Sequence, residues 1–260
     1  MTETLPLGWE QLALAASLIV LNGLLSLWLG LGLGRKLFVA SLRTVVQLTL
    51  MGWLLVPIFA AKQWWMVGLL VVFMIALSAR EAIRRVSRRY KGIYLNSLLA
   101  MSVGAGTSAI FGTAVVIHAD PWWTPQYFIP LVGMILGNAL TGVSLGLDKM
   151  LASLDEGRDR IEAKLSLGAN AWEASRGEAA EAIRTGMIPI LNAMSAVGLV
   201  TIPGMMTGQI LGGTPPVLAA RYQIMIMFLI AGAVALGVGI AGLGTVRAMF
   251  DPLDRLKRPS

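Results

Sequence analysis

Residues 222–246 read YQIMIMFLIAGAVALGVGIAGLGTV, from Tyr222 to Val246, without a single Asp, Glu, Lys or Arg. A helix that crosses the roughly 30 Å hydrocarbon core of a bilayer needs about 20 predominantly apolar residues, and this stretch supplies them. Marking every charged residue outward from it exposes further uncharged runs at 11–34, 63–79, 92–119, 121–147 and 185–220. A stretch at 37–59 is interrupted only by Arg43. Each is long enough to span, the 63–79 run only just, so the chain reads as an all-α, polytopic transmembrane helical bundle of about seven spans. Residues 1–260 form a single transmembrane domain on this reading.

The composition agrees. Hydrophobic residues make up 56% of the 260 positions and charged residues 13%, where a soluble domain carries roughly 25% charge. A water-facing surface cannot be built from so little charge, which excludes most soluble enzymes. The net charge of +7 does not indicate a nucleic-acid partner, because the basic residues cluster between apolar runs. Arg35, Lys36 and Arg43 flank the first connection, and Arg80, Arg84, Arg85, Arg88, Arg89 and Lys91 fill the third. Positive loops stay cytoplasmic, which puts the N-terminus, with Glu3 and Glu10, outside and the basic tail at 247–258 inside. Trp64, Trp65, Trp122 and Trp123 then fall at the outer ends, where interfacial aromatics belong. The first span lacks a basic leader and exceeds a signal-peptide apolar core, so it is expected to stay in the protein. With no Cys and one His, His118, there is no disulfide framework, no thiolate metal site and little imidazole chemistry.

Two regions are less regular. The 185–220 run exceeds one span and holds Pro189, Pro203, Pro215 and Pro216; it reads as a helix to about Ile202, then a Gly- and Pro-rich piece at 203–216 outside regular helix. That piece is either an outer loop or a re-entrant segment lining a pathway, since irregular backbone at membrane depth needs protein or water as partner. Residues 148–184 gather eight acidic and six basic side chains. Ser153-Leu-Asp-Glu156 resembles a capping box that starts a short helix, Ile161, Leu165 and Leu167 give it an apolar side, and Gly168 is placed as its left-handed terminator. Asn170-Ala-Trp-Glu173 offers a second cap, for a helix entering the sixth span. Such an amphipathic stripe needs a partner, and its mixed charge favours protein over lipid headgroups.

From Glu162 onward the sequence carries a resemblance. Glu162-Ala163-Lys-Leu165-Ser-Leu-Gly168-Ala169-Asn170-Ala171-Trp172 resembles the EAA loop of ABC transporter permease subunits, with Lys164 where the third residue is usually alanine. Blocks from Ser41 to Leu48, with Arg43 and Gln47, from Pro130 to Ala139, Glu162 to Ala169, Val197 to Gly208 and Ala220 to Met225 are similar, in order, to the FetB family of bacterial iron-export permeases and their plant relatives in aluminium tolerance. The resemblance implies a permease subunit in a bacterial inner membrane, two copies around one route, a metal ion as substrate, and Glu162, Ala163, Leu165, Gly168 and Trp172 as the coupling surface for an ABC ATPase. No Gly-x-x-x-x-Gly-Lys phosphate loop occurs, so no cofactor is expected in this chain, and ATP and magnesium belong to the partner subunit. A stand-alone secondary transporter or channel is the alternative class, but coupling ions call for intramembrane carboxylates and the spans have none.

The pathway candidates are polar or soft. Arg43 either snorkels to the cytoplasmic face or pairs inside the bundle, with Gln47 one turn beyond it. Asn138 and Asn192 either bond helices together or line the route. Gly133 and Gly137 form a G-x-x-x-G expected to let helices approach closely, with Gly142 on the same span. Met134, Met194, Met205, Met206, Met225 and Met227 either pack or offer neutral thioethers, which suit Cu(I) better than Fe(II). Met205 and Met206 stand out because they follow Pro203-Gly204, where the backbone is expected to break and free its carbonyls.

Overall fold

The structure is a computed structural model that describes residues 8–257. Glu3 and Arg258 lie outside the described residues. Among the described residues nine α-helices run in order: α1 (Trp9–Trp28), α2 (Gly34–Ala61), α3 (Trp64–Arg84), α4 (Ile93–Ile110), α5 (Pro125–Glu156), α6 (Arg158–Ser166), α7 (Ala171–Ala196), α8 (Gly204–Leu211) and α9 (Pro216–Met249). Six of them, α1 to α5 and α9, are long and apolar enough to cross a membrane.

The chain divides into two compact units. The first holds α1 and α2, a helical hairpin. Its turn is built by Gly30 and Gly32 at φ 64° and 65° and by Ser26, whose buried hydroxyl accepts from the Leu33 amide at 2.9 Å. α2 begins at Gly34, so Arg43 lies about 14 Å along the helix, deeper than the span boundary at residue 37 suggested. Both Arg43 and Gln47 are exposed on this unit.

The second unit is the bundle of α3 to α9. α5 is its axis: it packs against α3, α4, α7 and α9, and α9 packs in turn on α4 and α7. Lipid gives no hydrophobic reward for joining one apolar helix to another, so close backbone approach at small residues has to hold such a bundle. That approach occurs at Gly142 and Gly186. A Cβ on either would meet the other's carbonyl oxygen at 2.8 Å, with Val234 and Val238 of α9 filling the remaining space. α4 meets α9 in the same way, Gly104 lying against the Ala233 carbonyl. The G-x-x-x-G at Gly133 and Gly137 does not do this work: nothing lies within 4 Å of a Cβ at Gly137. The packing pair on α5 is Gly142 and Gly146.

α7 joins the bundle as a long helix, but its first half carries Glu173, Arg176, Glu178, Glu181 and Arg184. Its uncharged half, 185–196, rises only about 18 Å. The helix stops at Ala196 instead of Ile202, because Gly198 turns into the left-handed region at φ 82° and its amide bonds back to the Thr201 carbonyl at 2.9 Å. The irregular piece is therefore 197–203, and most of the expected 203–216 loop is α8. Prolines here open helices: the Pro203 carbonyl takes the Thr207 amide at 3.0 Å, and Pro216 and Pro125 start α9 and α5, positions where a missing N–H costs nothing.

Candidate functional site

Charge gathers at one end of the second unit, around α6. Ser153 does not cap a helix, because α5 continues through Glu156. The chain turns instead at Gly157, whose amide donates to the Ser153 carbonyl at 2.9 Å; a Cβ there would lie 2.7 Å from that oxygen. α6 then ends as its sequence suggests. Gly168, at φ 94°, donates to the Leu165 carbonyl at 3.0 Å while the Ala169 amide reaches Lys164 at 3.1 Å, satisfying carbonyls the helix end would leave open. Asn170 caps α7, its side-chain oxygen taking the Glu173 amide at 2.9 Å and the Glu173 carboxylate taking the Asn170 amide at 3.0 Å.

Four ties hold α6 in place. Ile161 is fully buried. Arg160 donates to the Glu178 carboxylate, which sits buried under α6 with its second oxygen unpartnered. Lys164, the residue that replaces alanine in the motif, donates to the Ala174 carbonyl at 3.0 Å. Arg158 pairs with Glu162 at 2.8 Å and donates to the Leu256 carbonyl at 2.6 Å. That last tie belongs to a tail hairpin in which Phe250 bridges Leu256. The Asp251 carboxylate staples the hairpin by accepting the Leu253 and Arg255 amides at 2.9 and 2.8 Å. Those amides, the Arg255 bond foremost, hold the Asp251 carboxyl below its usual range. A groove of about 730 Å³ runs between tail and α6, lined by Leu165, Gly168, Asn170, Leu253 and Leu256.

The carboxylates of 148–184 are mostly engaged within the chain. Asp148 accepts the Ser87 amide at 2.8 Å, and Arg88 reaches Asp155 at 3.2 Å and Glu156 at 3.7 Å. Glu181 pairs with Arg184 at 3.5 Å. The basic third connection thus docks on the acidic end of α5. Among these charges the turn between α6 and α7 also presents apolar side chains: Leu167 is 89% exposed and Trp172 42%, and Ala163 is exposed on α6. Glu162 and Gly168 are exposed, and Leu165 is half-buried at the groove. Glu178, Arg160 and the tail were not legible as parts of this assembly, since a carboxylate among alternating charges carries no pattern that marks it as the buried one.

At the opposite end of the second unit, α8 divides the candidate methionines. Met205 faces a cavity of about 50 Å³ with Met134, Met225, Gln126, Gln209 and Tyr222. Met206 faces a wider groove of about 480 Å³ with Met194, Met227, Gln223 and Pro203. Gly204 opens the helix with nothing near its Cα face. Asn138 is exposed and donates back to the Met134 carbonyl at 2.9 Å; Asn192 is exposed on α7. Among the described residues no cluster of three His, Cys, Asp or Glu side chains exists, so a metal ion inside the bundle would meet neutral donors.

The profile of the uncharacterised protein family UPF0014 matches residues 9–250. A UPF0014 membrane protein of Synechocystis is 38% identical over 86% of this chain and 85% of its own. The probable iron export permease protein FetB of Escherichia coli is 32% identical over 95% and 94%. Arabidopsis thaliana Protein ALUMINUM SENSITIVE 3 is 30% identical over 87% and 81%. No solved structure matches the chain. With the six membrane-length helices, these likenesses make the chain a multi-pass membrane protein that belongs to the UPF0014 family.

Proposed function

We propose that the chain is the permease subunit of an ATP-driven exporter of metal ions, iron among them, working as a pair of copies in the bacterial inner membrane. A separate ATPase binds ATP and magnesium, and α6 is the element that ATPase grips. The observation that carries this reading is α6 with the turn that follows it: a nine-residue helix fixed to α7 and the tail by Ile161, Arg160, Lys164 and Arg158, followed by Leu167 at its C-cap and Trp172 at the start of α7, both exposed. A helix held so firmly moves its neighbours when it is pushed, and the exposed leucine and tryptophan beside it fit a pocket on another protein. Because most of the carboxylates around it already have partners within the chain, the grip is more apolar than electrostatic. The iron assignment rests on the similarity to the probable iron export permease of Escherichia coli, and the ATP assignment on the resemblance of Glu162 to Trp172 to the coupling loop.

The test is a pair of variants. Leu167→Asp should abolish co-purification of the ABC ATPase that the wild-type chain retains, while the protein still reaches the membrane. Gly168→Val forces a branched side chain into a left-handed backbone and should leave binding measurable while metal-dependent ATPase stimulation is lost. Unchanged co-purification and unchanged coupled activity in both would overturn the assignment.

A further inference from the structure

We infer that the small cavity between α5, α8 and α9 is a binding station for a soft, thioether-preferring cation of the Cu(I) class; this rests on the metal-transport part of the reading above and not on its iron assignment. Three helices contribute. Gln126, Pro130 and Met134 are four residues apart and share one face of α5; Met205 and Gln209 share one face of α8; Tyr222, Met225 and Ile226 share one face of α9. The cavity holds about 50 Å³, room for one ion or one water.

Its donors are neutral and partly unclaimed. The Gln209 side-chain oxygen is buried with no hydrogen-bond partner, a state that is unfavourable unless something fills it. Pro130 lies inside α5 and has no N–H, so the Gln126 carbonyl four residues earlier lacks its regular helix donor. Three thioethers, from Met134, Met205 and Met225, complete the wall. Thioether sulfur selects soft ions such as Cu(I), whereas hard divalent ions call for carboxylates, and none lines this cavity. A neutral cage binds a monovalent ion without having to neutralise it, which favours release as well as capture.

The experiment uses the full chain, purified in detergent without any ATPase, and Ag(I) as a redox-inert probe of the Cu(I) class. Ion retained after gel filtration is quantified in the wild type, in Met205→Leu and Met134→Leu, in Gln209→Leu, and in Met206→Leu as control. Methionine to leucine nearly conserves volume, so monodisperse protein is expected throughout. Wild type should retain one ion per chain, with affinity lowered at least about tenfold in the three cavity variants and unchanged in Met206→Leu. Excess Fe(II) or Mn(II) should not displace it. Absence of retained ion, or equal loss in Met206→Leu, would overturn the inference; water alone would then fill the cavity. Because no ATPase is present, a negative result leaves the coupling role of α6 standing, and a failed coupling test leaves this one readable.

Discussion

Substituting Gly142 and Gly146 by alanine, each with and without Val238→Ala, tests whether backbone approach holds the bundle. A Cβ at Gly146 would lie 2.7 Å from Val238 Cγ1 but 3.4 Å from the Ala182 carbonyl, while at Gly142 it would meet Val234 Cγ1 at 2.6 Å and the Gly186 carbonyl at 2.8 Å, with Val238 only at 3.4 Å. Overpacking costs about 1–3 kcal/mol, against which alanine recovers about 0.8–1 kcal/mol of helix propensity. Gly146→Ala therefore loses at most about 2 kcal/mol, and Gly142→Ala sits at the upper part of the overpacking range. Trimming Val238 removes the only severe contact at Gly146, so in that background Gly146→Ala should be neutral or stabilising. At Gly142 the carbonyl of α7 stays in the way and a loss of about 1 kcal/mol or more should persist. Reversible unfolding in mixed detergent–SDS micelles, followed by far-ultraviolet circular dichroism, measures all of these. Equal residual losses at the two glycines in the Val238→Ala background, or a comparable loss in Gly137→Ala where space is open, would refute the packing assigned to α5, α7 and α9.

Arg160→Ala leaves the buried Glu178 carboxylate without its partner; because Arg160 is itself 66% exposed, the expected loss is about 1–2 kcal/mol, below the range for fully buried pairs. It should appear as faster proteolysis around Gly168 and Ala169 with the bundle intact. Asp251 should make the tail hairpin acid-sensitive. Its carboxyl lies below the ordinary 3.8 when folded, so its contribution is complete above that value and is lost as pH falls through the folded value. Hydrogen exchange at the Leu253 and Arg255 amides, compared at neutral pH and well below 3.8, should show loss of protection in the wild type and, in Asp251→Asn, weaker protection that no longer changes with pH. Lys164→Ala, which restores the commoner motif residue, should loosen α6 from the Ala174 carbonyl and raise exchange in α6 without unfolding α7.

Much of this molecule could be read from charge alone. Uncharged runs marked the long helices because lipid imposes a period-free rule of composition and length. Gly168 and Asn170 were legible because helix ends need specific chemistry, a left-handed residue in one case and an oxygen acceptor in the other. The capping box at Ser153 misled for the same local reason: the pattern was present, but packing of Leu147, Met150, Leu151 and Leu154 in the core carried α5 past it. The prolines misled in the opposite direction. Pro203 and Pro216 looked like breakers of a loop, yet at the first turn of a helix the missing amide is harmless, so α8 and α9 start there.

Adjacent methionines show where sequence proximity gives the wrong picture and geometry the right one. Met205 and Met206 read together as one candidate donor pair only while their backbone is taken as irregular. Once 204–211 is helical, consecutive side chains point about 100° apart, and each joins residues across the bundle instead of its neighbour. Met205 goes with Gln209 and the α5 face, Met206 with Gln223 and the α7 end. Any cation passing this end of the bundle would therefore meet the two thioethers on separate sides of one short helix, and single substitutions, not the double one, can tell the two sides apart.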